Sequence, residues 1–179
     1  DYLEGEGPKL APVRSLAAIE ALAWDTWQPR LTPVIETVSL IRQQLPETTT
    51  LIGFAGSPWT VAAYMIEGGT TREWFEIKGL GFREPETLDL LLDRLVTVTA
   101  GYLCAQVESG AEVLQLFESW AGVLSVADFH RFVIKPTQKL VAAVRARHPA
   151  VPIIGFPRGA GTLIPAYVAG TGVTAVSVD

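Results

Sequence analysis

Cysteine, histidine and charge are all scarce in this sequence. Cys104 is the only cysteine among 179 residues. A lone thiol excludes an internal disulfide and a cysteine-based zinc cluster, and it fits a reducing compartment such as the cytoplasm. It lies within an apolar helical pattern, so packing is its expected role. The two histidines, His130 and His148, are expected on a helix and near its end, as solvated residues rather than as bases. Charged residues make up 18% of the chain against 49% hydrophobic, a balance that suits a sheet covered by helices. The net charge of −5 and pI of about 5.1 speak against non-specific nucleic-acid binding, which needs a basic face. No run of about 18 uninterrupted apolar residues occurs, so no membrane span is expected. The opening Asp-Tyr-Leu-Glu-Gly-Glu-Gly is acidic and unlike a signal peptide. The missing initiator Met suits a chain cut from something longer.

What is present is one domain's worth of material, organised around residues 51–69. Leu51 to Ala55 is a short apolar run that reads as a strand buried on both faces. Gly56 allows a turn, Ser57 can cap the next helix with its hydroxyl, and Pro58 suits the first helical position. Gly68 and Gly69 end that helix. In parallel α/β folds ligands sit at the carboxyl ends of strands, where this turn lies. Tyr64 could reach back toward it, because helical side chains lean toward the N-terminus. On spacing alone, a Tyr on a short apolar helix is packing.

The remaining pattern alternates helix and strand. Residues 1–14 read as loop, and Ser15 caps a short helix through Leu22. A better helix begins at Thr32-Pro33, with Val34, Ile35, Val38, Ile41 and Leu45 as its stripe. A short helix and loop occupy 70–83. Pro85 opens the longest helix, whose stripe is Leu88, Leu91, Leu92, Leu95, Val98, Tyr102 and Val107, up to Gly110. A strand follows at 113–117. Ser125 and Asp128 have the spacing of a capping box, and Pro136 should kink or split the helix they start. Further strands are expected at 151–156 and 173–178, with a short helix between them ending at Gly170. Every linker is long enough for a right-handed crossover, so the sheet is parallel. Four strands do not close a barrel, and periodicity equally allows an open doubly wound sheet.

Three strands end in marked residues: Gly56-Ser57, Glu118-Ser119 and Pro157-Arg158, with Asp179 after the fourth. Polar residues so placed converge on one face of a parallel sheet. Glu118 is a possible general acid, although Ser119 has the stronger claim. Gly159-Ala160-Gly161 hints at a dinucleotide loop, but Ile164 stands where the third glycine belongs, and no GxxxxGK[ST] occurs.

Gly53-Phe54-Ala55-Gly56-Ser57-Pro58-Trp59-Thr60-Val61, followed by Tyr64 and Glu67-Gly68, closely resembles the signature of the uroporphyrinogen decarboxylase family. Further matches are Leu114-Gln115-Leu116-Phe117-Glu118-Ser119-Trp120-Ala121-Gly122 and Gly155-Phe156-Pro157-Arg158-Gly159, in the same order and spacing. The resemblance runs over the whole chain and covers about the middle half of a usual member. It implies an α/β fold that is part of a (β/α)8 TIM barrel, its third to sixth strands. Residues 1–179 would then be the central portion of one barrel domain, without its N- and C-terminal parts. The implied activity is a lyase needing no cofactor and no metal. It converts the four acetate side chains of uroporphyrinogen III to methyl groups, giving coproporphyrinogen III in tetrapyrrole (heme and chlorophyll) biosynthesis. A cytoplasmic homodimer is implied for the full-length protein. Tyr64 and Ser119 match substrate-contacting positions, Phe54 a cavity-lining one, and Arg158 joins them on the third match.

The family's arginine-rich motif, its pyrrole-binding aspartate and its C-terminal histidine match nothing here. The resemblance therefore places no catalytic residue within this chain. Two other readings stand beside it. One is a corrinoid- and zinc-linked methyltransferase of the same fold, which would need His and Cys ligands that Cys104 does not supply. The other is a non-catalytic fragment. The isolated chain is expected to lack activity and to present bare backbone edges at 51–55 and 173–178.

Overall fold

The computed structural model describes residues 11–179. Helices α1 (Leu16–Glu20) and α2 (Gln28–Gln44) precede β1 (Ile52–Gly56), which is followed by α3 (Pro58–Glu67), α4 (Phe75–Arg83) and α5 (Pro85–Glu108). Next come β2 (Val113–Glu118), α6 (Val126–Asp128) and α7 (Lys135–Arg147), then β3 (Ile153–Pro157), α8 (Ile164–Thr171) and β4 (Ala175–Val176). Of the loop expected over 1–14, the first ten residues lie outside the described residues.

The sheet order is β1-β2-β3-β4 and every pair is parallel. Consecutive strands are neighbours with no reversal of order. A doubly wound sheet requires such a reversal, so this is an open arc of a (β/α)8 barrel. Right-handed crossovers that all run one way put their helices on one face, and the burial pattern agrees. Ala55, Leu114, Leu116 and Ile153 are buried under the helices, whereas the alternate residues Ile52 and Phe54 are exposed. Strand β1 is thus covered on one side only, not on both as its apolar run suggests, and the alternate residues of β2 and β3 are half-buried.

The layer between helices and sheet forms two apolar clusters. One gathers Trp59, Ile66, Leu88, Leu91, Phe129 and Tyr167; the other gathers Ala55, Leu103, Cys104, Leu116, Leu140 and Val144. Helix α5 belongs to both. By length and composition it could cross a membrane, but half of that apolar window is buried inside this fold. Its buried face is Leu88, Leu91, Leu92 and Leu95 as expected, then Val96, Ala100, Leu103 and Cys104. The expected Val98, Tyr102 and Val107 are only half-buried, because the buried face of α5 shifts as the helix passes from the first cluster to the second.

Several local signals act as the residues dictate. Pro58 opens α3, and Gly68 closes it in the left-handed conformation, φ 83°. The Ser125 hydroxyl accepts the Asp128 N–H at 3.2 Å and donates to the Asp128 carboxylate at 2.7 Å. The chain stays helical through Pro136: a π-helical turn, Phe129–Ile134, leads directly into α7, whose second residue is Pro136.

Other expectations are corrected. Helix α2 begins at Gln28, with Pro29 in its first turn and Pro33 inside it, and buries no residue. Its stripe meets little protein, and Val34, Leu40 and Ile41 stay exposed. Arg42 instead ties its end down, donating to Glu112 at 2.6 Å and to the Thr49 carbonyl at 3.0 Å. The last helix ends at Gly172, φ 75°, not Gly170, and β4 is two residues long. The β1 edge is not bare at Phe54. Its N–H and C=O, which point away from β2, are both bonded at 3.0 Å by the Gln106 carboxamide.

Gly155 sets the spacing between β3 and α8. A Cβ there would lie 2.5 Å from the Tyr167 ring and 2.6 Å from its hydroxyl. Gly155→Ala should therefore destabilise the protein by about 1–3 kcal/mol through overpacking, seen as a lower denaturation midpoint at unchanged slope. An unchanged midpoint would mean that Tyr167 has room to move.

Candidate functional site

Alternation along three parallel strands builds an aromatic wall on the uncovered face. Phe54 on β1, Phe117 on β2 and Phe156 on β3 all point away from the helices. Phe54 and Phe117 meet edge-to-face, centroids 5.7 Å apart, and Phe117 and Phe156 repeat the geometry at 6.0 Å. Phe117 and Phe156 are register partners, whereas Phe54 stands one step diagonal, opposite Gln115. Phe54 remains 59% exposed, so one side of this ladder is open. Such a wall offers apolar and edge-to-face contact to the rings of a ligand.

The polar candidates lie beyond the strands' carboxyl ends. Ser119 directly follows β2 and is half-buried. Arg158 directly follows β3 and is exposed. Their strand ends are laced together, because the Arg158 N–H donates to the Glu118 carbonyl at 3.0 Å. The next turn is equally close, with the Gly122 N–H donating to the Arg158 carbonyl at 3.2 Å. A Cβ on Gly122 would strike the Gly159 carbonyl, so glycine is needed there. Asp179, past β4, accepts the Gly159 N–H at 3.1 Å and so steadies the loop that bears Arg158.

Tyr64 reaches this region through aromatic contacts. Its ring lies edge-on to Trp120 at 6.1 Å and to Trp74 at 6.3 Å, and the two tryptophans are 4.5 Å apart. Trp74 holds a left-handed backbone, φ 56°, uncommon for a bulky residue, and its burial in this cluster maintains it. Ser119 and Arg158 thus sit at adjacent strand ends, Phe54 stands midway along β1 on the uncovered face, and Tyr64 joins through the neighbour of Ser119. Surface pockets of about 320 to 530 Å³ lie elsewhere, none lined by these four residues. Four strands form an open wall, not a closed cavity.

Glu118 faces the other way. Leu114, Leu116 and Glu118 share one side of β2, so its carboxyl is fully buried beneath the helices. The Thr60 hydroxyl donates to its Oε1, whereas Oε2 has no partner. Nearby, the buried hydroxyls of Tyr167 and Thr137 approach without completing a hydrogen bond. Burial pushes the Glu118 pKa up to about 8, only partly offset by hydrogen bonds from Thr60 and Trp120. Burial also raises the Tyr167 phenol, and the Glu118 charge adds to the shift. At neutral pH Glu118 is therefore an acid bearing its own proton, sealed away from the open wall. It is not positioned as a general acid there.

The comparisons with known proteins agree with one another. The model of the uroporphyrinogen decarboxylase (URO-D) family matches residues 1–179. The chain belongs to the uroporphyrinogen decarboxylase family. It is 50% identical over 182 residues to the uroporphyrinogen decarboxylase of Granulibacter bethesdensis, covering 99% of this chain and 52% of that protein. The protein of that name from Maricaulis maris is 51% identical over 178 residues, 99% of this chain and 51% of its own. The chain spans about half the length of the curated relatives it matches.

Family membership leaves some sequence readings to correct. The Ser57 hydroxyl makes no capping bond; it is buried and unpartnered. His148 is not a free solvated residue: its Nε2 lies 3.4 Å from the Glu108 carboxylate and is sealed from solvent. His130 is exposed as expected. Among the described residues no three of His, Cys, Asp and Glu form a metal-holding group. Phe117, Phe156, Trp74, Trp120 and Thr60 were not singled out from the sequence. Strict alternation through Leu114-Gln115-Leu116-Phe117-Glu118 is the signal that separates Phe117 from Glu118.

Glu118 generates a pH prediction. Its folded pKa, about 8, lies above its usual 4.5, so the folded state binds the extra proton. Its contribution to stability is fully present below about pH 4.5 and is lost as pH rises through about 8. Relative to Glu118→Gln, which stays neutral, the wild type should lose roughly 1 kcal/mol per pH unit within that window. Denaturant titrations at pH 5, 6, 7 and 8 measure the difference. Parallel stability curves would mean that Glu118 is ionised in the folded protein.

Proposed function

We propose that the full-length protein containing this chain is a uroporphyrinogen decarboxylase. It removes carbon dioxide from the four acetate side chains of uroporphyrinogen III to give coproporphyrinogen III, and it works as a cytoplasmic homodimer without a cofactor. Residues 1–179 are the central portion of its single barrel domain. The observation that carries the reading is the coincidence of the family match with an aromatic wall bordered by Ser119 and Arg158 at adjacent strand ends.

The chemistry asks little of a cofactor. Protonation of a pyrrole carbon beside the acetate makes the ring cationic. The carbon–carboxylate bond then breaks, its electron pair enters the ring, a proton added to the resulting exocyclic carbon completes the methyl group, and loss of the first proton from the ring carbon restores the neutral pyrrole. The protein has to bind carboxylates, deliver protons and stabilise positive charge. Phe54, with Phe117 and Phe156, gives the macrocycle an apolar aromatic surface. Ser119 and Tyr64 supply hydroxyl donors for substrate carboxylates, and the Arg158 guanidinium supplies a cationic one. The first proton and the carboxylate facing the pyrrole nitrogens come from parts of the full-length protein outside this chain.

In the full-length protein, Tyr64→Phe should lower turnover roughly ten- to hundredfold, the equivalent of one hydrogen bond to a charged group, with little change in melting temperature. Unchanged turnover would leave Tyr64 as a packing partner of Trp74 and Trp120. The chain of 179 residues expressed alone should release no carbon dioxide from uroporphyrinogen III. Turnover by it would place the proton donor within residues 1–179.

A further inference from the structure

We propose that the Thr60 hydroxyl is a positioning group for Ser119, fixing the peptide on which that serine stands at the end of β2. The inference rests on the reading of Ser119 as a substrate contact. Thr60 lies in the first turn of α3 and is 4% exposed. Its oxygen serves two consecutive residues of the strand end: it accepts the Ser119 N–H at 2.8 Å and donates to the Glu118 carboxyl. One residue earlier, the Trp59 indole donates to the Trp120 carbonyl at 3.1 Å. Residues 118, 119 and 120 are thus each bonded from the same helical turn.

Nothing else in the sheet does this for Ser119. The β2–β3 ladder ends at Glu118 opposite Pro157, so the next N–H has left the ladder. A threonine hydroxyl both accepts and donates. Valine has nearly the same shape and does neither, so it would leave the half-buried Ser119 N–H unpaired and its peptide free to turn. Glu118 completes the arrangement. Its Oε1 takes the Thr60 proton while the Thr60 oxygen accepts the Ser119 N–H.

The test is steady-state kinetics with uroporphyrinogen III on the full-length protein. Thr60→Val should raise KM about tenfold and leave kcat within about twofold, the pattern of a lost binding contact. A merely structural role would reduce the number of active molecules, lowering apparent kcat at constant KM. Thr60→Ser, which keeps the hydroxyl, should restore the wild-type KM. In a Ser119→Ala background, Thr60→Val should raise KM no further, because both changes remove one function. If circular dichroism shows Thr60→Val unfolded, Thr60→Cys is read in its place, since a thiol is only a weak donor and acceptor. A wild-type KM in Thr60→Val, an equally raised KM in Thr60→Ser, or full additivity with Ser119→Ala overturns the inference alone. A wild-type KM in Ser119→Ala overturns the reading of Ser119 and this inference with it.

Discussion

The grip of the first turn of α3 on the end of β2 is the contact on which the candidate site depends. Strand ends in a parallel sheet are where the ladder stops and backbone groups lose their partners. Here Thr60 and Trp59 take over from the ladder, bonding the Ser119 N–H, the Glu118 carboxyl and the Trp120 carbonyl. Trp120 in turn carries the ring contact to Tyr64. A short stretch of one helix therefore fixes the serine and orients the tryptophan that links it to the tyrosine. Pro58 contributes by starting α3 immediately after β1, so that its first turn faces β2.

A single strand divides the remaining chemistry between two environments. On one face of β2, Phe117 joins Phe54 and Phe156 in an open aromatic ladder. On the other, Glu118 is sealed under the helices and holds its proton to about pH 8. The two residues are adjacent in sequence and opposite in surroundings, because successive strand side chains point to opposite faces. A buried carboxyl costs stability as it ionises, yet kept neutral it can both donate and accept. Gly155 makes room on the same side for the Tyr167 ring, so the buried polar group and the closest helix–sheet contact occupy neighbouring positions.

Much of this was legible before any coordinates. Pro58 and Gly68 bound α3 and Pro85 opens α5, each through a backbone property that neighbours do not alter, and Ser125 caps its helix through its hydroxyl. Ser57 departs from its capping pattern because the same hydroxyl can cap a helix or be buried beside one, and only packing chooses. Stripe residues of α2 looked like core, but a stripe is buried only where something covers it. The strand expected over 173–178 shrank to two residues, since strand length depends on a partner as well as on apolar side chains. Thr60 carries no local signal of its bonds, whose partner lies on a strand 58 positions away.

By itself the sequence determined the alternation of helices and strands, the parallel sheet, the family to which the chain belongs and the positions of Ser119 and Arg158 at strand ends. These follow from periodicity, turn chemistry and residue order, all of which are local or additive along the chain. Tertiary structure decided the order β1-β2-β3-β4, and with it a barrel arc rather than a doubly wound sheet. It also decided which face of β2 is buried, that Glu118 is neutral and that Thr60 holds Ser119. Those outcomes depend on desolvation and hydrogen bonds between segments distant in sequence, and no local pattern encodes which distant group will arrive.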